Sequence, residues 1–194
     1  MDFSAAERAR RIRLILFDVD GVLTDGKIWT LPANVLTPGE KTFEPKGFHA
    51  HDGIGVSLAR IGGIHTGIVT KRTSETVAQR ARALRMEYVY MGQDYQIRAV
   101  REIMQRSSFT LDQIAYVGDD IIDLPVMRVC GFAVAAANAR DQVKAAAHYI
   151  TPNPGGEGAG RDAIDFILQA HGILEQCIEE YLDEHHAAAA AGGQ

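Results

Sequence analysis

The sequence predicts a three-layer α/β fold, in which a parallel sheet carries helices on both faces and a β-hairpin is inserted after the first strand. An apolar run, Ile12 to Phe17, is followed at once by two acidic residues and a glycine. Short apolar runs then alternate with segments of helical periodicity, as a parallel sheet requires. Proline and glycine lie between β-favouring runs at 27–31 and 41–44, which indicates a hairpin.

The elements follow in order along the chain. Strands are predicted over 12–17, 64–69, 88–91, 114–117, 132–135 and 148–151. Helices are predicted over 52–61, 74–84, 97–104, 126–129, 139–146 and 161–182. Residues 1–11 suit a short polar helix or a loose arm, and 151–160 are too rich in glycine for regular structure. We therefore expect one domain over 1–184, with an insertion at about 27–46 and a disordered alanine-rich tail over 185–194.

Composition excludes several classes of protein. Apolar residues make up 46% of the 194 residues, which excludes wholesale disorder. A net charge of −5 argues against a nucleic-acid partner. No apolar run approaches the roughly 20 residues of a membrane span, and residues 1–13 lack the apolar core of a signal peptide. We expect a cytoplasmic protein without a membrane partner, in which Cys130 and Cys177 are reduced and structural.

Polar side chains follow three of the predicted strands. They are Asp18 and Asp20 after the first, Thr70 after the second, and Asp119, Asp120 and Asp123 after the fourth. Because parallel strands end at one edge of a sheet, these carboxylates should converge there and repel one another unless they share a proton or bind a cation. Oxygen donors without a His/Cys cluster favour Mg²⁺ over zinc. Any one of these acids could instead cap a helix. For Asp123 the sequence favours a helix cap and a role in the site equally.

Three segments together resemble the haloacid dehalogenase superfamily. Asp18 to Gly26, the strand end at Thr70 and Gly118 to Asp123 are similar to its motifs one, two and four. The similarity is greater to the cap-less phosphatases of 3-deoxy-D-manno-octulosonate 8-phosphate and extends over about residues 12–170. Further matching segments are Asp52-Gly53, 115–120, 124–127 and 155–159. The resemblance implies a Rossmann-like sheet without a cap domain and a phosphoric monoester hydrolase.

The resemblance also implies roles for the acids. Asp18 would attack phosphorus and form an aspartyl-phosphate, while Asp20 would protonate the leaving oxygen and later activate water. Mg²⁺ would be held by Asp18, the backbone carbonyl of Asp20 and Asp119. The Thr70 hydroxyl would hold a phosphate oxygen, although Thr70 could also be a plain helix cap.

Residues outside these motifs are implied to bind the sugar. They are His49, His51, Asp52, Gly53, Arg72, Arg80, Asp120 and Arg161. Arg72 and Arg80 could equally be solvated surface charges. In similar enzymes the hairpin and the C-terminal segment contact neighbouring active sites, so the resemblance implies a homotetramer.

The sequence departs from the family pattern in three places. The lysine of motif three is replaced by Gln96, a neutral amide, and the glycine after Thr70 is replaced by Lys71. We hypothesise that the Lys71 ammonium substitutes for the missing lysine in binding phosphate, the alternative being that it points into solvent. His51 stands where the closer relatives carry arginine, which bears on the substrate. A metal site formed by His49 and His51 would lack a third soft ligand.

These departures leave three functions open. The sequence favours a Mg²⁺-dependent phosphatase acting on a small phosphorylated sugar acid. A phosphatase for a different sugar phosphate is the second interpretation. The third is a weakened or pseudo-phosphatase with an assembly or regulatory role, which Gln96 favours and the complete set of acids opposes.

Overall fold

The centre of the molecule is a six-stranded parallel sheet. The computed structural model describes residues 3–32 and 42–191. In chain order its strands are β1 (Leu14–Phe17), β2 (Leu31–Pro32), β3 (Thr42–Phe43), β4 (His65–Val69), β5 (Tyr88–Tyr90), β6 (Ile114–Gly118), β7 (Phe132–Ala135) and β8 (Tyr149–Ile150). Its helices are α1 (Ala5–Ala9), α2 (Ala50–Ile61), α3 (Glu75–Ala83), α4 (Gln96–Arg106), α5 (Leu124–Met127), α6 (Asp141–Ala146), α7 (Ala159–His171) and α8 (Leu174–Ala191).

The strand order β5-β4-β1-β6-β7-β8 confirms the predicted parallel α/β sheet. Strand β1 lies at its centre, where Phe17 is opposite Ile68 of β4 and Val117 of β6. The winding runs from β1 to β4 and β5 on one side and continues through β6, β7 and β8 on the other. Such a reversal leaves a crevice at the carboxyl ends of the central strands. Those ends carry the predicted acids.

Strand β1 is apolar throughout because both of its faces are covered. All four of its residues are fully buried. Ile15 and Phe17 belong to a core that includes Val56 of α2, whereas Leu16 belongs to the core on the other face with Ile103 of α4. A strand buried on both faces reads as a continuous apolar run rather than an alternating one. The run therefore ends where the chain leaves the core.

The predicted hairpin is confirmed as an antiparallel pair, although a short one. Leu31 pairs with Phe43 and Pro32 with Thr42, and residues 33–41 lie outside the described residues. The predicted strand over 27–31 is wrong for Lys27 to Thr30, which form no regular structure.

The C-terminal region differs from its prediction. The single helix expected over 161–182 is two helices, α7 and α8, because Gly172 adopts a left-handed conformation (φ +74°) that ends α7. Helix α8 continues to Ala191, where the sequence predicted little order. Alanine has the highest helix propensity and so lets an existing helix continue. Residues 192–194 lie outside the described part of the chain.

Cys130 and Cys177 are both buried and unpaired, as expected. In the described part of the chain, no helix combines the length and apolar character that crossing a bilayer demands.

The glycine-rich segment after β8 packs against the acidic turn after β1. A Cβ atom on Gly155 would lie 1.9 Å from the Gly21 carbonyl oxygen, so the two backbones approach as only glycine allows. The Asn138 side chain joins them: its amide donates to the Gly21 carbonyl (3.0 Å) and its oxygen accepts from the Gly155 N–H (2.6 Å). This contact fixes the turn that carries Asp18 and Asp20.

Candidate active site

A cavity opens at the carboxyl ends of β1, β4 and β6. We call it the carboxylate cavity. Its lining residues are Asp18, Asp20, Gly26, Ile28, Thr70, Lys71, Arg72, Asp119, Asp120 and Ile122. Seven of them are polar or charged residues that the sequence predicted as site residues. The convergence follows from the parallel sheet, since all three strands end at the same edge.

The turn after β1 brings Asp18 and Asp119 together. Gly21 has a positive φ (+90°), and a Cβ atom there would lie 2.1 Å from Asp119 Oδ2. Any side chain at position 21 would therefore displace the Asp119 carboxylate. The turn is closed by the backbone N–H groups of Leu23 and Thr24, which both donate to the Val19 carbonyl at 3.0 Å.

The arrangement of the buried oxygens suits a cation. Asp18, Asp119 and Asp123 each place one carboxylate oxygen within 4.8 Å of the other two. Asp18 Oδ1 and Asp119 Oδ1 are buried and accept no hydrogen bond from the described residues. Unpaired buried carboxylate oxygens are costly, and a hard divalent cation with oxygen ligands would satisfy them.

The acids perturb one another strongly. Burial, followed by the charges of Asp123 and Asp119, raises the pKa of Asp18 well above its usual range. Burial, followed by the charges of Asp123, Asp120 and Asp20, raises the pKa of Asp119 to about 7. Without a cation, the pair therefore tends to retain protons near neutral pH.

Asp123 holds the loop that carries Asp119. Its side chain does not cap α5. Instead Asp123 Oδ2 accepts from the backbone N–H groups of Asp119 (2.8 Å) and Asp120 (3.2 Å), and Oδ1 accepts from the Tyr116 hydroxyl (3.0 Å). These bonds occupy both oxygens of a fully buried carboxylate. The predicted alternative of a helix cap is therefore wrong, and Asp123 positions the loop.

We expect Asp123→Ala to destabilise the protein by about 2 to 4 kcal/mol, because the buried Tyr116 hydroxyl and two partly buried backbone N–H groups lose their acceptor. For a chain of this size that corresponds to a melting temperature lower by roughly 5 to 15 °C, measurable by circular dichroism. Asp112→Ala, which removes an exposed acid outside the site, is the matched control. A melting temperature for Asp123→Ala equal to that of the control would contradict this role.

Strand β4 ends in three residues that face the same cavity. Thr70 is buried, and it does not cap the following helix, since Ser74 occupies the cap position of α3. Lys71 is exposed and makes no ion pair with the described residues. Arg72 Nε lies 3.7 Å from Asp20 Oδ2. The cap alternative for Thr70 is therefore wrong, and the alternative of a fully solvated Arg72 is wrong as well.

Gln96 is buried beside the acids, at the first residue of α4. Both side-chain polar atoms lack a hydrogen bond of standard geometry within the described residues. Its amide nevertheless lies close enough to Asp123 to lower the pKa of that carboxyl slightly against the larger effect of burial, which raises it. No charge is present at this position.

Lys46 and Glu44, which follow β3, are not among the site residues predicted from the sequence. The Lys46 ammonium contacts Asp20 Oδ1 and lies 3.0 Å from Glu44 Oε1. Glu44 in turn pairs with the guanidinium of Arg72, which raises the pKa of Arg72 and lowers that of Glu44. Lys46 and Asp20 are 26 residues apart along the chain. Only the path of the insertion brings them together, so no local pattern could indicate the pair.

The remaining predicted sugar-binding residues do not join the carboxylate cavity within one chain. His49, Asp52 and Arg80 line a separate, mostly apolar cavity whose other members include Phe48 and Val56. Helices α2 and α3 bury their inward faces against Val19, Leu23 and Ile68 and close off this second space. The assignment of these residues to the sugar stays a prediction.

Hydrogen bonds explain several of these placements. Asp52 Oδ1 accepts from the Arg161 backbone N–H (2.8 Å), and burial raises the pKa of Asp52. The Arg161 side chain pairs with Asp165 of the same helix (2.7 Å) instead of reaching the cavity.

The first turn of α2 lies beside this second cavity. His49 caps α2 by accepting from the His51 N–H (3.3 Å), and their rings meet edge to face. A Cβ atom on Gly53 would lie 2.8 Å from the Arg80 guanidinium, so the glycine makes room for that side chain.

Comparison with known proteins identifies the family. A family model described as haloacid dehalogenase-like hydrolase matches residues 96–159. The 3-deoxy-D-manno-octulosonate 8-phosphate phosphatase KdsC of Escherichia coli (strain K12) is 36% identical over 169 residues, which cover 87% of this chain and 86% of that protein.

Solved structures show the same fold. A probable YrbI family phosphatase from Pseudomonas syringae superposes with a TM-score of 0.85 at 36% identity, covering 92% of this chain and 97% of that one. The 3-deoxy-D-manno-octulosonate 8-phosphate phosphatase of Moraxella catarrhalis, in complex with magnesium ion, phosphate ion and KDO, superposes with a TM-score of 0.84 at 33% identity, covering 91% and 97%. This chain therefore belongs to the haloacid dehalogenase-like hydrolases, and among them it is similar to the 3-deoxy-D-manno-octulosonate 8-phosphate phosphatases.

Proposed function

We propose that the chain is a Mg²⁺-dependent phosphomonoesterase that hydrolyses a small phosphorylated sugar acid, most like 3-deoxy-D-manno-octulosonate 8-phosphate. One observation carries the proposal. The carboxylates of Asp18, Asp20 and Asp119 line one cavity together with Thr70 and the cations that follow it. A cavity with both anionic and cationic walls suits a metal ion and a phosphate bound side by side. The similarity to KdsC supports this substrate class.

The donor set fits Mg²⁺. Asp18 Oδ1 and Asp119 Oδ1 are buried oxygens without a partner in the described part of the chain. Burial and then the charges of the neighbouring acids raise the pKa of Asp119, and a bound cation would offset both. Asp18, Asp119 and the backbone carbonyl of Asp20 would hold the ion. Asp123 lies in the same cluster, but its oxygens already accept the hydrogen bonds described above. When bound, Mg²⁺ would neutralise phosphate charge so that one anion can approach another.

The protein's own residues would carry out two steps. In the first, an Asp18 carboxylate oxygen attacks phosphorus, the ester P–O bond breaks, and Asp20 gives its proton to the leaving sugar oxygen. In the second, Asp20 takes a proton from water, whose oxygen attacks the aspartyl-phosphate, releasing phosphate and restoring Asp18. The Thr70 hydroxyl and Lys71 would bind phosphate oxygens, and Arg72 and Asp120 would bind the sugar.

The assembly is also a proposal. We infer a homotetramer in which the hairpin and the C-terminal segment contact neighbouring active sites, because His49, Arg80 and Arg161 do not reach the carboxylate cavity of their own chain. These residues, with His51, Asp52 and Gly53, would then serve the site across a subunit boundary. A cytoplasmic location fits a sugar phosphate as substrate.

The test is release of inorganic phosphate from a panel of sugar phosphates that includes 3-deoxy-D-manno-octulosonate 8-phosphate. We expect turnover with Mg²⁺ and its loss when the metal is removed with a chelator. The preferred substrate should be a sugar acid, because Arg72, which we assign to the sugar, places a cation at the cavity in addition to Lys71, which we assign to phosphate. If the protein prefers the phosphate of a sugar without a carboxyl group, this result would favour a phosphatase for a different sugar phosphate.

A second candidate function is supported by Gln96. A neutral amide in place of the motif-three lysine could leave a weakened or pseudo-phosphatase with an assembly or regulatory role, since losing such a charged donor costs about 10²- to 10³-fold in rate in comparable sites. Absence of turnover across the whole panel, by protein that is folded and binds Mg²⁺, would favour this second function.

A further inference from the structure

Lys46 is a buried lysine held between two carboxylates. Its side chain is only 1% exposed, and its ammonium contacts Asp20 Oδ1 and lies 3.0 Å from Glu44 Oε1. Burying an ammonium is costly unless it is paired, and leaving one partner of a buried pair alone is strongly destabilising. The insertion therefore places a fixed positive charge directly against the Asp20 side chain.

Asp20 is held from one side and open on the other. Lys46 contacts Oδ1, whereas Oδ2 lies 3.7 Å from Arg72 Nε, and the residue lines the carboxylate cavity. The side chain remains 20% exposed, so it can reach a molecule in the cavity. A carboxylate within this turn could otherwise rotate about two side-chain bonds. The Lys46 contact selects one orientation.

The neighbouring positions do not supply an equivalent contact. Gln96 is neutral, and Lys71 makes no ion pair with the described residues. Arg72 is shared with Glu44, whose oxygens contact both its Nε (3.3 Å) and its Nη2. Among the lysines that the structure describes, Lys46 alone contacts one of the acids to which we assign a chemical step.

We propose that Lys46 positions the Asp20 carboxyl group for proton transfer to the leaving group, and that the insertion thereby supplies a positive charge that Gln96 does not. The inference rests on the proposed function. As the ester P–O bond breaks, the proton passes from Asp20 to the ester oxygen, and the carboxylate that remains is held by the Lys46 ammonium. Lys46 is a positioning residue, because it touches Asp20 and not the reacting atoms.

The experiment compares two substrates that differ in their need for protonation. An alkyl sugar phosphate requires a proton on its leaving oxygen, whereas p-nitrophenyl phosphate releases a stable phenolate. For Lys46→Met we expect kcat/KM to fall by roughly 100-fold with the sugar phosphate, at the low end of typical general-acid effects, and by less than about 5-fold with the aryl phosphate. The parameter kcat/KM reports the steps through leaving-group departure, so the later role of Asp20 with water does not enter it.

Two further variants make the comparison specific. Lys46→Arg keeps the charge and should restore the ratio of the two kcat/KM values to near that of the wild type. Lys27→Met removes an exposed lysine of the same insertion and should leave both values unchanged. Because both substrates are measured on one preparation, a fraction of unfolded protein lowers both values equally and does not change their ratio. If Lys46→Met retains no activity, Lys46→Gln provides the same ratio.

The outcomes separate this inference from the proposed function. An unchanged ratio in the neutral variants, while the wild type hydrolyses both substrates, would overturn the positioning role alone. Equal losses with both substrates would also overturn it, since they would indicate a phosphate-binding or purely structural lysine. A folded wild-type protein that hydrolyses neither substrate would overturn the proposed function, and this inference with it.

Discussion

Asp18→Asn is expected to lower phosphate release by at least about 10³-fold, because the amide cannot attack phosphorus and no covalent intermediate forms. The same change removes one member of a buried cluster in which burial and the charges of Asp123 and Asp119 raise the pKa of Asp18. The metal-free variant should therefore melt at the same temperature as the wild type or higher when both are measured above neutral pH. Phosphate release and thermal melting of the same samples measure the two effects.

The paired measurements distinguish lost chemistry from lost structure. Asp25→Asn is the matched control, since Asp25 lies in the same loop with its side chain exposed and paired to Lys27. It should retain wild-type turnover. Activity within tenfold of the wild type in Asp18→Asn would exclude an aspartyl-phosphate on this residue. A sharply lower melting temperature would show instead that the Asp18 carboxylate stabilises the metal-free fold.

The site could be predicted where it depends on strand ends. An apolar run that stops at an acid indicates a strand buried on both faces, and parallel pairing then places its end beside those of its neighbours. Asp18, Thr70 and Asp119 meet for this reason, at the ends of β1, β4 and β6. Their convergence needs no knowledge of side-chain packing.

The contacts made by the insertion could not be predicted. Lys46 reaches Asp20 across 26 residues, and its burial depends on where Glu44 and Arg72 lie. Lys71 was the candidate for the missing charge because it is adjacent to Thr70 along the chain. The helix end at Gly172 was not predicted either. A glycine within a periodic pattern is compatible with a continuous helix, and only its positive φ shows that the helix ends there.

The separate cavity around Asp52 and Arg80 also escaped prediction. Family resemblance assigns these residues to a sugar site, but within one chain Asp52 accepts from the backbone at the start of α7 and Arg80 lies over the Phe48 ring. These contacts follow from packing within one chain, which a resemblance between sequence motifs does not describe.

The stability of the metal-free protein should fall as the pH rises from about 4 to about 7, the range over which Asp119 titrates. The pKa of Asp119 is raised from 3.8 to about 7 in the folded protein, and that of Asp18 is also raised. Below about pH 4 both states hold the Asp119 proton, whereas above it the unfolded chain releases the proton more readily, which favours unfolding. At 1.36 kcal/mol per pKa unit the Asp119 contribution is at most about 4 kcal/mol.

Mg²⁺ should reverse this loss, because its binding displaces the retained protons and pairs the charges. Between about pH 5 and pH 8 we expect the metal-free melting temperature to fall by roughly 5 to 10 °C, and Mg²⁺ to restore it at the higher pH while having little effect at the lower. Differential scanning calorimetry of the wild type, Asp119→Asn and the exposed control Asp141→Asn measures this. In Asp119→Asn, both the melting temperature of the metal-free protein and the effect of Mg²⁺ should depend less on pH. If this variant retains the wild-type pH dependence, or if Mg²⁺ stabilises the wild type equally at both pH values, the carboxylate cluster is not the group that the cation neutralises.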